Sequence, residues 1–175
     1  LVYTSFTIFT IQDLGWTNTS FSQIASISDV VAGILGMFAG GYLVDRFGEK
    51  RMLTIYFSVF TLLLLSIGFF ENYWANDTLI FIFYSLYTLL ATFITISILA
   101  GAMKLCWKTV AATQFTLYMA INNMGQSIGA GIVGPLKEHI SWATLFLLMA
   151  IPTLLIIVII QFLNFSKHLK TIEKF

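Results

Sequence analysis

The sequence predicts an all-α fold: a polytopic membrane helix bundle with five complete transmembrane helices and one partial one. Three observations predict it. Of the 175 residues, 58% are apolar before the 12 glycines are counted, and with glycine the share is about 65%, against about 45–50% in soluble domains. Charged residues make up 10%, where about 25% is usual, so the chain lacks the polar groups to cover a water-soluble surface of its size. The apolar residues also fall in runs that can cross a hydrocarbon core of ~30 Å, which takes about 20 helical residues. A soluble enzyme, a nucleic-acid binder and a disulfide-stapled secreted domain are thereby excluded. Cys106 stands alone, which leaves no internal disulfide and no cysteine-rich metal site.

Taken in order, the run 1–11 is apolar but spans only half a bilayer, and it lacks the basic flank and small-residue cleavage site of a signal peptide. It is expected to be the outer half of a helix whose beginning lies outside the chain. Five spanning segments follow, at 20–43, 52–70, 78–103, 112–135 and 142–164. The polar breaks at 12–19, 44–51, 71–77, 104–110 and 136–141 are too short to hold an extramembrane domain. The expected organisation is one helical unit over 1–165 and a short basic tail over 166–175. No segment shows the period-2 alternation of a barrel strand.

Polar content divides the segments. Those at 52–70 and 142–164 are rich in Leu, Ile and Phe nearly all round, which suits lipid-facing positions, and Pro152 is expected to bend the second. In 20–43, Ser28, Ala32, Gly36 and Gly40 recur at i+4 as a seam of small residues that lets another helix approach closely. Asp29 falls within about 20° of Gly36 and Gly40 on a helical wheel, so it is expected on the packed face, pointing into the bundle. A carboxylate at that depth costs at least ~2.5 kcal/mol and needs a partner, a proton or water. It is read as a protonatable or substrate-binding group, against the alternative of an Asp held by a neighbouring helix or hydrated near the surface.

In 112–135, Gln114, Tyr118, Asn122 and Gln126 form a polar stripe at i+4 flanked by Gly125 and Gly129. Tyr118, Asn122 and Gln126 are the candidates for lining a cavity, while Gln114 lies near the boundary. Tyr84, Thr88, Thr92 and Thr95 make a milder stripe in 78–103, where threonine hydroxyls commonly return to the backbone. Arg46, Lys50, Arg51, Lys104, Lys108, Lys167, Lys170 and Lys174 lie on one side of the bundle and Lys137 on the other. By the positive-inside rule the first side, with the C-terminus, faces the cytoplasm. His139 and His168 fall in loops without metal-ligand spacing, and neither a phosphate-binding glycine loop nor a Ser–His–Asp set is present. No enzyme activity, metal or cofactor is expected.

One stretch is specific. Gly41-Tyr-Leu-Val-Asp45-Arg46-Phe-Gly48-Glu-Lys50-Arg51 resembles, at every signature position, the G-x-x-x-D-R-x-G-x-[KR]-[KR] motif of major facilitator superfamily transporters. In these residues Gly41 allows close approach, Asp45 can cap a neighbouring helix, Gly48 makes the turn, and Arg46, Lys50 and Arg51 hold the loop at the cytoplasmic face. The motif resembles a conformational latch that does not touch substrate. One partial helix before the motif-bearing helix and four after it correspond to helices seven to twelve, the C-terminal half of such a transporter. The implied partners are the N-terminal half, the lipid bilayer, a small solute and protons, with no nucleic acid.

A second stretch, Met103-Lys-Leu-Cys106 followed by Ala111-Ala-Thr-Gln-Phe-Thr-Leu-Tyr-Met-Ala-Ile-Asn122-Asn-Met-Gly125, resembles the AmpG-like muropeptide permeases and the related acetyl-CoA transporter group. Many of these permeases carry a basic residue after the last glycine; here the position is Gln126. The resemblance implies alternating access and proton-coupled uptake of a muropeptide or similar solute across a bacterial inner membrane. A drug or metabolite exporter of the same superfamily, and a non-transporting receptor or scaffold, are the alternatives.

Overall fold

The computed structural model describes residues 1–162. A first helix, α1, runs over Val2–Ile8 and continues through a π-helical turn at Phe9–Asp13. The others are α2 (Asn18–Phe47), α3 (Glu49–Phe69), α4 (Asp77–Leu105), α5 (Ala111–Lys137) and α6 (Trp142–Phe162). Short 3₁₀ turns at Glu71–Tyr73 and Lys108–Val110 lie in the connections. No strand occurs among the described residues. The basic tail, with Lys167, His168, Lys170 and Lys174, lies outside the described residues.

Four helices (α2, α3, α4 and α6) are long and apolar enough to cross a membrane. The fifth expected span, α5, has the length at 27 residues, but its polar stripe leaves it short of the apolar content of the others. The expected break at 44–51 shrinks to one residue. The helix of α2 continues through Val44, which is 1% exposed, and ends only at Gly48, whose φ of +84° and ψ of 149° redirect the chain into α3. Other starts follow ordinary capping. The Thr17 side chain accepts from the Ser20 N–H at 3.1 Å, and Asn76 accepts from the N–H groups of Thr78 and Leu79 at 3.0 and 3.4 Å.

The seam on α2 packs against α4 as expected. Ser28 shares a hydrogen bond of 3.0 Å with Ser85, Ala32 is buried, and a β-carbon added at Gly36 would sit 2.7 Å from Thr92 Cγ2 and 3.0 Å from Ile96 Cδ1. Residues four apart drift around a regular helix of 3.6 residues per turn. Here the turn over Gly36–Gly40 is π-helical, with i→i+5 bonding that winds more slowly, and Gly36 and Gly40 both stay buried against α4.

α3 and α6, expected at lipid-facing positions, keep apolar side chains such as Leu62 and Leu155 exposed, and they also pack on one another. They form the most extensive helix pair in the bundle. Gly68 admits the Leu147 side chain so closely that a β-carbon would lie 2.7 Å from Leu147 Cγ, and Thr61 and Thr153, both buried, share a hydrogen bond of 2.7 Å. Within a bilayer, lipid tails are as apolar as leucine, so an all-apolar helix carries no mark of whether lipid or protein covers it.

Although short, α1 supplies the centre of the core. Phe6 and Phe9 are 1% and 0% exposed, and their rings meet Tyr84, Tyr87, Trp74, Trp142 and Phe146 at centroid distances of 4.7–5.9 Å. Indole N–H groups tie the end remote from Gly48: Trp16 donates to Asp77 Oδ1 at 2.8 Å, Trp142 to Asp13, and Trp74 to the Ile67 carbonyl at 3.0 Å. By contrast α5 is loosely held, with Val133 as its buried residue.

Candidate functional site

An open cleft of about 280 Å³ lies where α1, α2 and α4 meet. Tyr3 comes from α1, Asp29 from α2, and Tyr87, Thr88, Thr92 and Thr95 from α4. Asp29 is exposed in this cleft, which corrects its expected place on the packed face. The physical reason is the slant of the seam: residues four apart drift around a regular helix, so at the depth of Asp29 the contact with α4 runs through Ser28 and Ala32, about 60–100° around the helix from it. Asp29 therefore stands at the edge of the seam. It makes no hydrogen bond or ion pair among the described residues.

Hydroxyls complete the lining. Thr92 donates to the Thr88 carbonyl at 2.9 Å and Thr95 to the Ala91 carbonyl at 2.8 Å, the return to the backbone expected of helical threonines. Two others on α4, the Tyr84 and Thr88 hydroxyls, lie beside one another on residues 1% and 7% exposed. Tyr3 and Tyr87 were not singled out from the sequence. Tyr3 sits in the short first helix, where no period could be read, and Tyr87 lies one residue off the Tyr84–Thr88 stripe.

The expected companions on α5 are placed elsewhere. Tyr118, Asn122 and Gln126 are all exposed, and none lines the Asp29 cleft. Tyr118 instead borders a separate groove of about 490 Å³ with apolar neighbours that include Ile98, Ile121 and Ile156. Between the two surfaces stands α1, with Leu1 against Gly129 of α5 and Tyr3 in the cleft. Gln114, expected at the boundary, accepts from the Trp107 N–H at 2.7 Å.

At the signature end the positive φ of Gly48 matches the turn expected there. The Arg46 guanidinium donates to the Tyr42 hydroxyl and lies 5.8 and 5.7 Å from the Tyr42 and Phe47 ring centroids. Arg51 sits 5.9 Å from the Phe47 ring on its other flank, and Lys50 donates to the Gln161 carbonyl of α6 at 2.7 Å. Two residues of the signature make no such contact among the described residues. Gly41 has open space within 4 Å of where a β-carbon would stand, so the close approach belongs to Gly36 and Gly40. Asp45 is exposed and caps no helix among the described residues; the N-cap of α3 is Gly48, with no side-chain cap. Missed altogether was Glu49, which occupies a free position of the motif, is 8% exposed and pairs with Lys104. Its signal was its place in the first turn of a helix, where an acid is favoured.

Among the described residues no group of three or more His, Cys, Asp or Glu side chains could hold a metal ion. Cys106 is buried at the end of α4, with its thiol directed to the Ala102 carbonyl. Comparison with curated proteins and with solved structures returns no match. The family model of the Major Facilitator Superfamily, however, matches residues 1–171, nearly the whole chain. With its all-helical bundle, its apolar spanning helices and its glycine-turned signature, the chain belongs to the Major Facilitator Superfamily of membrane transporters.

Proposed function

We propose that this chain is the C-terminal half of a secondary active transporter that works by alternating access, and that the Asp29 cleft is its share of the solute pathway. The observation that carries the reading is an unpaired carboxylate in an open, hydroxyl-lined cleft. Asp29 lies about 16 Å along α2 from its start at 1.5 Å per residue, near mid-depth of a spanning helix, where a carboxylate needs water or a proton. Asp29 loads a proton from one side and gives it up to the other as the two halves rock about the site. An open cleft that holds a carboxylate supports transport over a scaffold role, for which a dry, closed core is the expectation.

The helix order around the signature supports helices seven to twelve. Arg46, Lys50, Arg51 and Lys104 then face the cytoplasm, with Lys137 on the opposite side. The exposed faces of Asp29 and of Tyr118, Asn122 and Gln126 await the N-terminal half. Proton-coupled uptake of a muropeptide across a bacterial inner membrane rests on the resemblance over Met103–Gly125. Export of a drug or metabolite is the second reading, favoured by a cleft lining without lysine or arginine.

Uptake of labelled anhydro-muropeptide into vesicles carrying the full-length polypeptide, with and without an imposed proton gradient, tests the proposal. Gradient-dependent uptake that Asp29→Asn abolishes is the expected result. No uptake under either condition removes the muropeptide reading, and full proton-driven uptake in Asp29→Asn removes the coupling role.

A further inference from the structure

We infer that the Asp29 cleft selects an organic cation, an alkyl- or arylammonium with N–H donors, over an anionic solute. The inference rests on the reading of this cleft as part of the solute pathway, adds the chemical class of what enters it, and within that reading favours export of a drug or metabolite over uptake of an anionic muropeptide.

Three features of the lining point the same way. First, its charge has one sign. Among the described residues, Asp29 contributes a carboxylate without a hydrogen-bonded or ionic partner, and no lysine, arginine or histidine lines the cleft. Second, two of its hydroxyls are turned into acceptors. Thr92 and Thr95 give their protons to the carbonyls of Thr88 and Ala91, so what their oxygens can offer a solute is lone pairs. With Asp29 they make a set of acceptors spread over α2 and α4, complementary to an ammonium that carries several donors. Third, Tyr3, half exposed, and Tyr87 add aromatic rings to the wall, and ring faces attract cations. Ala91 and Ile96 supply an apolar floor for a hydrocarbon body. A carboxylate solute would meet repulsion from Asp29 and, at Thr92 and Thr95, acceptors where it needs donors. The volume of about 280 Å³ suits one small substituted ammonium and falls just below the ~300 Å³ at which drug-sized pockets begin.

The test uses the full-length polypeptide in proteoliposomes and three probes of one shape: 4-phenylbutylammonium, 4-phenylbutanol and 4-phenylbutyrate. Saturable binding of the labelled ammonium is measured, with the other two as competitors. The alcohol and the carboxylate are expected to compete at least about tenfold more weakly, the scale of one lost charge-assisted contact. Asp29→Asn should weaken ammonium binding by a similar factor and Asp29→Glu should retain it. Thr95→Val, which removes an acceptor at an exposed position, should weaken binding severalfold without affecting folding. Equal competition by 4-phenylbutyrate, or unchanged binding in Asp29→Asn, overturns the inference. Gradient-driven transport in the same vesicles separates the two readings. Asp29-dependent transport of an anionic solute without ammonium binding leaves the pathway and removes the cation. Asp29-dependent ammonium binding with no transport of any solute upholds the cation and removes the pathway.

Discussion

Glu49 and Lys104 join the first turn of α3 to the last turn of α4 through an ion pair in which the carboxylate side chain is 10% exposed and the ammonium 53%. Each charge also complements its own helix end, an acid at an N-terminus and a base at a C-terminus. Removing one partner of a buried pair is costly because the other charge stays behind, about 3–5 kcal/mol in full burial; with Lys104 half in water the cost falls to about 1–2 kcal/mol. Lys104→Ala, which strands the buried carboxylate, is therefore expected to lower thermal stability more than Lys104→Ala combined with Glu49→Gln. A double-mutant cycle on thermal unfolding in detergent checks this. Additive single effects would show that the pair does not couple the two helices.

Gly48 carries the whole connection between α2 and α3. Its φ of +84° with ψ of 149° lies close to a region that only glycine occupies at ease, and side chains there cost about 1–3 kcal/mol. Gly48→Ala should destabilise by that amount. Gly41→Ala, at a position open within 4 Å, should be neutral in the same unfolding measurement, although both glycines belong to the signature. Equal losses would mean that the motif is held by something other than the turn.

The contrast between those glycines shows where sequence reasoning reached and where it stopped. The segments and their order could be read from hydropathy, because crossing a bilayer demands length and apolarity from every span. The Ser28–Gly40 seam was also legible, since small residues at i+4 mean close approach. The facing of Asp29 was not, because a helical wheel collapses depth along the axis, while at the depth of Asp29 the contact with α4 follows Ser28 and Ala32 and not the line of Gly36 and Gly40. Nor could the partner of α3 be read: Leu64 and Ile67, each 1% exposed, look like lipid-facing residues in a sequence. The stripe of Tyr118, Asn122 and Gln126 was legible as a polar face, yet its separation from Asp29 depends on where α1 inserts, a tertiary fact.

Thr61 and Thr153 offer a test of polar bonding between the two apolar helices. Each hydroxyl also has a backbone carbonyl within reach, Thr61 with Phe57 at 2.8 Å and Thr153 with Ala150 at 2.7 Å. Loss of the shared bond therefore leaves neither oxygen stranded. Thr153→Val should cost only about 0.6 kcal/mol, the average for such contacts between membrane helices. A loss above about 2 kcal/mol in thermal unfolding would show that the pair anchors the α3–α6 interface, which the geometry assigns to Gly68 and Leu147.

Gly36 links packing to the cleft. A methyl group there would meet Thr92 Cγ2 at 2.7 Å and Ile96 Cδ1 at 3.0 Å, and both residues line the cleft. Neither can withdraw without moving into the cleft or separating α2 from α4. Gly36→Ala is expected to destabilise by about 1–3 kcal/mol, the usual cost of overpacking, and to narrow the opening beside Asp29. Gly33, one turn earlier, has nothing within 4 Å, so Gly33→Ala should be neutral or stabilise by up to about 1 kcal/mol through helix propensity. Thermal unfolding separates the two on stability. Binding of 4-phenylbutylammonium separates them on function: Gly36→Ala should weaken it severalfold while Gly33→Ala leaves it unchanged. If Gly36→Ala cost stability alone, the seam and the cleft would be independent. Loss of both would make the close approach of α2 to α4 what sets the width of the site.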